Sequence, residues 1–352
     1  MKLLEPWRLR ELEFKNRIGV SPMCQYSAKD GHVSHWHLVH LGSRAVGGAA
    51  LVMAEATGVQ AIGRISPEDT GIYLDSHVDS WKPIVEFIQE RGAVAGIQLA
   101  HAGRKGSTAA PWNGGKAVPS SGGGWQPIAP SAVAFTADYP MPKEMTVGDI
   151  DQVVADFVKA VQRALLAGFQ VVEIHAAHGY LLHEFYSPLS NFRKDDYGGS
   201  FENRIRLVLR VVKEVRAIWP EKLPLFVRIS ATDWKEGGWD LKQSIELARK
   251  LKEAGVDLVD ASSGGNVPDA KIPVGPGYQV KFSEAIRQEA GIATATVGMV
   301  TDPVQAETIL SSGQADMVFL AREMLRDPYW PRRAAQKLGG KIKAPVQYER
   351  AW

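Results

Sequence analysis

The sequence predicts a (β/α)8 barrel, an α/β fold built here as a single domain. Eight short β-rich runs alternate with amphipathic helical runs along the 352 residues, and barrels of this kind often exceed the usual length of one domain. The competing fold is a doubly wound open sheet, which favours a GxGxxG turn after its first strand. Neither GxGxxG in that place nor GxxxxGK[ST] occurs in the sequence, so the barrel is the better prediction.

The predicted elements follow one another in a regular order. Residues 2–15 alternate in polarity and predict a small hairpin before the barrel. The eight predicted barrel strands cover residues 17–20, 50–53, 93–99, 169–174, 225–229, 256–260, 293–297 and 315–320. Helical periodicity predicts helices between them, for example over residues 36–46, 78–90, 241–254 and 303–312.

Two segments do not fit the barrel repeat. Residues 105–142 are irregular and rich in Gly, Pro and Ser, and they follow the third strand. A loop of this length is usually functional or disordered, and Trp112 and Trp125 favour an ordered active-site loop. The tail, residues 345–352, carries two aromatic residues and Arg350, which predicts docking on a partner subunit.

Composition excludes several classes of function. The 41 basic and 39 acidic residues give a net charge of +2, so no nucleic-acid or membrane partner is predicted. Cys24 is the only cysteine, which excludes a disulfide framework, a cysteine-ligated iron–sulfur cluster and a multi-cysteine zinc site. No metal site is predicted for the histidines at 32, 35, 37 and 40, which lack an acidic or cysteine partner pattern. The absence of a signal-like apolar segment predicts a cytoplasmic protein.

The end of the fourth predicted strand carries the densest chemistry. His175, His178 and Tyr180 occur within six residues, and Gly179 marks a turn that can bring them to one side. Two imidazoles can donate N–H groups to one oxygen, and a neighbouring phenol can deliver a proton. In isolation, an HxxHxY run fits helix-capping histidines and a packed tyrosine equally well.

Other strand ends also carry polar or small residues. In a barrel these ends share one face. Gly298 and Arg322 follow the seventh and eighth strands, where such barrels often bind phosphate, although Arg322 alone also fits a surface salt bridge. The remaining candidates are Cys24, Ala56, Gln98 and Arg228. A phosphorylated cofactor at this face is the expectation.

Several motifs together resemble one known family. The run HAAHGYLLHEFYSPLSNFRKDDYGGSFENR is similar to the signature of the Old Yellow Enzyme family of FMN-dependent ene-reductases. SPMCQYS, EAT, GIQLAHAGRK, LFVRISA and QYERAW resemble its bacterial thermophilic-like branch, which includes xenobiotic reductases. The resemblance extends from about Leu4 to Trp352, with the motifs in order.

The resemblance implies a cofactor site. Residues lining the flavin ring would be Ser21, Pro22, Cys24 and Ala56. Gln98 would bind the pyrimidine edge, and Arg228 would lie beside N1 and the C2 carbonyl, where reduction adds negative charge. The phosphate would lie at Gly298, Arg322 and Ala321, the last replacing a glycine that is usual in the family.

The resemblance also implies a substrate site. His175 and His178 would bind a carbonyl oxygen, Tyr180 would be the proton donor, and Tyr26 would line the pocket. Arg350 would reach the neighbouring subunit's site in a homodimer or a dimer of dimers. Trp234 and Trp239, in the loop after the fifth strand, are expected to reshape the pocket together with the 105–142 loop.

The implied reaction is reduction of the C=C bond of enone-type substrates. NADPH or NADH would reduce FMN and leave, and the alkene would then bind where the nicotinamide had been, in a ping-pong sequence. A flavin-dependent reductase of nitro compounds or nitrate esters and a flavin redox sensor using Cys24 are alternatives. A Schiff-base aldolase or lyase needs a strand-end lysine, and Asp260 followed by SSGG stands at the sixth strand end instead. A relative with an iron–sulfur cluster is excluded by the single cysteine.

Overall fold

The computed structural model describes all residues from Met1 to Trp352. Its strands, in chain order, are β1 (Trp7–Leu9), β2 (Leu12–Phe14), β3 (Ile18–Val20), β4 (Leu51–Gly58), β5 (Val94–Ala100), β6 (Ile128–Ala129), β7 (Lys143–Glu144), β8 (Val171–Ala176), β9 (Leu225–Ser230), β10 (Leu258–Ser262), β11 (Ala293–Thr296) and β12 (Met317–Leu320). Eight of them close a parallel barrel in the order β3-β4-β5-β8-β9-β10-β11-β12. The predicted (β/α)8 barrel is confirmed.

The helices lie between and after the barrel strands. They are α1 (His35–Val46), α2 (Ser76–Glu90), α3 (Val147–Leu166), α4 (Leu181–Tyr186), α5 (Phe201–Ile218), α6 (Leu241–Glu253), α7 (Val280–Ala290), α8 (Pro303–Ser311), α9 (Arg322–Arg326) and α10 (Trp330–Lys337). Side-chain caps fix several starts, such as the Thr146 hydroxyl that accepts from the Asp149 N–H. None of the helices is both long and apolar enough to span a membrane.

The N-terminal hairpin closes the lower end of the barrel. Strands β1 and β2 pair antiparallel, and the Trp7 and Phe14 rings stack at 5.7 Å. Phe14 is fully buried with a cluster that includes Phe226 and Phe319 inside the barrel. A larger cluster of 72 buried residues packs the sheet against the helices. Burial of this apolar surface is the main stabilising contribution, and it leaves the opposite end of the barrel for polar side chains.

Strand boundaries differ from the sequence prediction at two functional positions. β4 continues to Gly58, past the predicted end at residue 53, because it pairs with β5 as far as Ala100 across a register shift between Ala54 and Ala56. β8 includes His175, which pairs in register with Arg228 of β9. Polar residues at these positions hid the continuation of both strands from an analysis based on apolar runs.

The segment 105–142 is ordered by anchors at several points. It contains short 3-10 turns, and β6 pairs with β7 at its end. Trp125 donates its indole N–H to the Ile62 carbonyl at 2.9 Å, and the Arg64 guanidinium lies 5.3 Å from the Trp125 ring centre. Trp112 is 68% exposed, and its ring meets that of Tyr26 edge to face at 5.4 Å.

Candidate active site

The His175–His178–Tyr180 cluster forms where β8 turns into α4. His178 has φ 60° and Gly179 has φ 72°, so the chain reverses sharply before Tyr180, which stands at the N-terminal end of α4. The His175 ring centre lies 5.2 Å from that of His178 and 5.0 Å from that of Tyr180. The turn therefore places all three side chains together, as the sequence predicted.

Two glycines make this turn possible. Gly179 (φ 72°) lies against the backbone of Gly265 (φ 88°) in the loop after β10. A Cβ on Gly179 would lie 2.3 Å from the Gly265 carbonyl oxygen, and a Cβ on Gly265 would lie 2.7 Å from the His178 Cα. Only glycine permits this approach in this backbone conformation. The SSGG motif after β10 thus supports the histidine turn after β8.

Hydrogen bonds hold His178 while one nitrogen of His175 stays unpaired. The His178 backbone N–H donates to the Ser230 hydroxyl at 2.9 Å, and its Nε2 lies 2.7 Å from the Ser262 hydroxyl. The Nδ1 of His175 is buried and has no hydrogen-bond partner. Burial, and next the charge of Arg228, lower the pKa of both imidazoles well below the ordinary value. Both rings are therefore neutral near pH 7, each with one N–H to donate.

Tyr180 faces a cavity of about 410 Å³ on the outer side of the cluster. Residues lining it include Tyr26, Lys105, Thr108 and Tyr139. Burial, and next the charge of Cys24, raise the pKa of the Tyr180 phenol well above its usual value. The phenol is therefore protonated throughout the physiological pH range. The cavity can admit a small molecule beside a neutral O–H group.

A second cavity of about 390 Å³ lies at the ends of β11 and β12. Gly298 (φ 124°), Ala321 and Arg322 line it together with Arg228 and Tyr278. A Cβ on Gly298 would lie 2.9 Å from the side chains of Tyr278 and Gln279. The cavity therefore combines three guanidinium groups, those of Arg228, Arg322 and Arg326, with the single carboxylate of Glu323. This excess of positive charge suits a phosphate.

The floor between the two cavities is polar and buried. Gln98 of β5 donates its side-chain N–H to Glu173 Oε1 of β8 at 2.7 Å. Arg228 Nε of β9 lies 3.0 Å from Asp260 Oδ2 of β10. All four side chains are at least 94% buried, with exposed fractions of 2%, 0%, 6% and 0%, respectively. The Gln98 carbonyl oxygen and the outer Arg228 nitrogens remain available for a ligand.

The segment after β3 forms one wall of the candidate site at the barrel mouth. Ser21 donates its backbone N–H to the Leu320 carbonyl at 3.0 Å, and its buried hydroxyl has no partner. Cys24 Sγ and carboxylate oxygens of Glu55 and Asp69 all lie within 4.8 Å of one another. Ala56 is buried in β4. Pro22 lies between Ser21 and Cys24, so the predicted ring-lining segment is continuous with the barrel mouth.

Some predicted residues lie elsewhere. Arg350 is exposed on the C-terminal tail of its own chain, which packs through Trp352 on Tyr329 with ring centres 6.0 Å apart. Trp239 is 1% exposed and packs on Tyr186 and Phe201, so it contributes to the core. The prediction that Trp239 reshapes the pocket is not supported, because the β9 loop folds that ring inward.

Sequence reasoning overlooked Lys105 as a site residue. Its Nζ donates to the His178 carbonyl at 2.9 Å and to the Gly265 carbonyl at 2.6 Å, and it lies 5.5 Å from the centre of the Tyr180 ring. Burial lowers the pKa of Lys105 to about 8. The only signal in the sequence was its position at the end of GIQLAHAGRK.

A closed barrel whose strand ends combine a phosphate-type cavity, a polar floor and a pair of neutral histidines is typical of flavin-dependent oxidoreductases. The particular family follows from comparison with known proteins. The model of the NADH:flavin oxidoreductase / NADH oxidase family matches residues 2–340, and the chain belongs to this Old Yellow Enzyme-type family.

Close relatives support the same assignment. The chain is 52% identical to an NADPH dehydrogenase of Geobacillus thermodenitrificans (strain NG80-2), over 99% of this chain and 98% of the relative. It is 47% identical to an NADPH dehydrogenase of Bacillus subtilis (strain 168), over 100% and 99% of the two chains.

Solved structures show the same fold. Morphinone reductase superposes with a TM-score of 0.81 at 28% identity, over 97% of this chain and 91% of that one. An Old Yellow Enzyme homologue from Zymomonas mobilis superposes with a TM-score of 0.79 at 29% identity, over 99% and 96%.

The protein is thus an oxidoreductase that uses FMN, with NAD(P)H as the electron donor. The residues present fit this cofactor. The buried Ser21 hydroxyl has no hydrogen-bond partner, and Arg228, Gly298 and Arg322 line the cavity at the ends of β11 and β12. These groups would hold the isoalloxazine and the phosphate from two sides of the barrel mouth.

Proposed function

We propose that this protein reduces the C=C bond of α,β-unsaturated carbonyl compounds in a ping-pong sequence. The observation that carries the proposal is the contact between two neutral imidazoles and a protonated phenol at one strand end. When bound, FMN supplies the chemistry of hydride transfer, first from NAD(P)H and then to the alkene. NAD(P)H and alkene would bind in turn at the same face.

His175 and His178 would bind the carbonyl oxygen of the substrate. Each is neutral near pH 7 because burial lowers its pKa. Two N–H donors directed at one oxygen stabilise the negative charge that develops there during reduction of the conjugated alkene, as in an oxyanion hole. The Ser262 hydroxyl and the backbone bond to Ser230 fix the His178 ring for this task.

Tyr180 would donate the proton to the α carbon. Its phenol stays protonated because burial raises its pKa, and it borders the cavity that would receive the substrate. Lys105 holds the turn below it through two backbone carbonyls. The lysine borders the same cavity, but its Nζ is engaged by these two carbonyls, and it would therefore support the turn that carries the donor.

The cofactor contacts proposed from the sequence fit the same arrangement. Ser21, Pro22, Cys24 and Ala56 would line the ring, Gln98 and Arg228 would bind its pyrimidine side, and Gly298, Ala321 and Arg322 would bind the phosphate. Tyr26, edge to face with Trp112, would line the substrate pocket. The proposal also includes two expectations from the sequence: residues 1–352 form a single FMN-binding domain, and residues 105–142 form an active-site loop.

The proposal is tested by measuring the two half-reactions of the Tyr180→Phe variant separately. Reduction of bound FMN by NADPH should keep its wild-type rate, because no proton from Tyr180 is needed. Reduction of cyclohexenone should slow by about 10²–10⁴-fold, the usual contribution of a general acid. Thr108→Val, at the same cavity, is the matched control and should retain both rates. Equal losses in both half-reactions of the Tyr180 variant would contradict the proposal.

The same assay tests the alternatives. A protein specialised for nitro compounds or nitrate esters would turn those over while leaving cyclohexenone unchanged. A redox sensor would accept electrons from NADPH but show no turnover with any of these substrates. The enone proposal requires multiple turnovers of cyclohexenone with NADPH.

A further inference from the structure

Two carboxyl groups lie beneath the barrel mouth without a use in the proposed reaction. Glu173 of β8 and Asp260 of β10 are both fully buried, and they lie on either side of β9, which carries Arg228. Glu173 Oε1 accepts from Gln98 at 2.7 Å, whereas Asp260 Oδ2 lies 3.0 Å from Arg228 Nε. Each acid therefore touches one of the two residues proposed to bind the pyrimidine side of FMN.

The pair has unused hydrogen-bonding capacity. Glu173 Oε2 and Asp260 Oδ1 are buried without a hydrogen-bond partner, and Asp260 Oδ2 has only its ion pair with Arg228. Gln98 of β5 and Arg228 of β9 face the pair, and His175, two residues after Glu173, lies on the same face of β8. Buried polar atoms without partners are rare in proteins and call for an explanation.

Charge balance gives that explanation. Two buried carboxylates beside one guanidinium cannot both ionise without a net negative charge in a low-dielectric interior. Burial, and next the charge of Asp260, raise the pKa of Glu173 to about 8. Burial raises the pKa of Asp260 to about 6, although Arg228 acts in the opposite direction. Near pH 7 the pair therefore holds one proton, shared between two interacting sites, and the group of three is neutral.

We propose that Glu173 and Asp260 are a positioning pair that orients Gln98 and Arg228 and binds a second proton when the cofactor is reduced. Hydride transfer brings two electrons and one proton from NADPH, releases NADP⁺ and leaves one added negative charge on the flavin. That charge, beside Arg228, favours protonation of the remaining carboxylate by a proton from solvent. A carboxyl O–H bond forms, and neutrality is restored.

The inference rests on the proposed placement of FMN beside Arg228, but not on the alkene reaction. The test is anaerobic reduction of the holoenzyme by one equivalent of NADPH, in weak buffer at pH 7 with an indicator dye. Wild-type protein should consume about one proton per FMN reduced, since hydride transfer itself takes none from solvent. The double variant Glu173→Gln/Asp260→Asn, with no carboxyl group beside Arg228, should consume none.

Glu184→Gln is the matched control. Glu184 is also fully buried at this end of the barrel, and burial raises its pKa to about 8, but its carboxylate accepts from the Arg104 N–H. This variant should keep the wild-type proton count. Absence of proton uptake in the wild type, or uptake that persists in the double variant, would overturn the proposal.

An infrared measurement covers the case in which the double variant fails to fold or to bind FMN. The reduced-minus-oxidised difference spectrum of the wild-type holoenzyme should gain a protonated-carboxyl band, and this band should shift or disappear in Asp260→Asn. A wild-type spectrum without such a band would also overturn the proposal. A protein that fails to reduce enones but shows the band would contradict only the proposed function.

Discussion

At the scale of single residues, the protonation state of a side chain decides which chemical role it can take. Cys24 sits beside Glu55 and Asp69. Burial, followed by the charges of Asp69 and Glu55, raises the pKa of its thiol well above the ordinary value. Because the thiolate is the nucleophile, Cys24 is expected to act as a neutral group beside the flavin.

Alkylation of Cys24 tests this charge assignment. In the holoenzyme, reaction with iodoacetamide should stay slow through neutral pH and accelerate only well above the usual thiol pKa of about 8.5. Burial raises the pKa of Asp69 itself to about 8, so its negative charge is largely present above pH 9. Asp69→Asn removes that charge, lowers the thiol pKa and should increase the alkylation rate at pH 9 to 9.5. Asp75→Asn, at an exposed carboxylate that pairs with Arg163, should have no effect. Fast alkylation of the wild type at pH 7 would refute the assignment.

The proposed role of His175 and His178 predicts which ligands the oxidised enzyme binds. If they supply two N–H donors, a phenolate should bind the oxidised enzyme and perturb the flavin spectrum. A hydrogen bond to a charged group contributes about 1.5–3 kcal/mol, so His175→Ala and His178→Ala should each weaken binding by roughly ten- to hundredfold. Phenol titrations followed by absorbance measure this. Unchanged affinity in the double variant would exclude the role.

At the scale of elements, the loops after β8 and β10 depend on each other. A Cβ at Gly265 would meet the His178 backbone, and its φ of 88° is strained for other residues. Gly265→Ala should therefore destabilise the fold by roughly 1–3 kcal/mol and weaken phenolate binding by displacing His178. Gly275→Ala, in the same loop but with open space around its Cβ, is the control. Denaturant unfolding measures the change in stability, and phenol titration measures the change in binding. Equal stability and equal phenolate affinity in the two variants would argue against mutual dependence of the two loops.

At the scale of the whole molecule, the tail is the part whose role depends on assembly. Tyr348 and Trp352 pack near Tyr329 of their own chain, while Arg350 is exposed. We propose a closed two-fold dimer in which this side chain reaches the neighbouring barrel mouth, because aromatic residues and arginine are favoured interface anchors.

Truncation after Val346 tests the assembly. We expect a weakened dimer and a raised KM for the alkene, with FMN still bound, measured by sedimentation and steady-state kinetics. Arg350→Ala keeps the aromatic contacts and should raise KM without weakening the dimer. A truncated protein with unchanged oligomeric state and kinetics would show that the tail belongs to no site.

The sequence by itself determined the barrel and the local cluster. Alternation of β-rich and helical runs defines which segments become strands, and strand ends of a parallel barrel share one face. His175, His178 and Tyr180 come together because a turn at Gly179 links residues at most five positions apart. Interactions this close in sequence depend on local backbone conformation, which residue types report directly.

Only the tertiary structure decided contacts between distant segments. The placement of Glu173 and Asp260 on either side of β9 depends on the register of β8, β9 and β10. The bond from Lys105 to the His178 carbonyl joins residues 73 positions apart. Trp239 turns inward for the same reason, since packing against α5 fixes the β9 loop. Barrel closure and loop packing set such contacts through many small contributions, which no local pattern records.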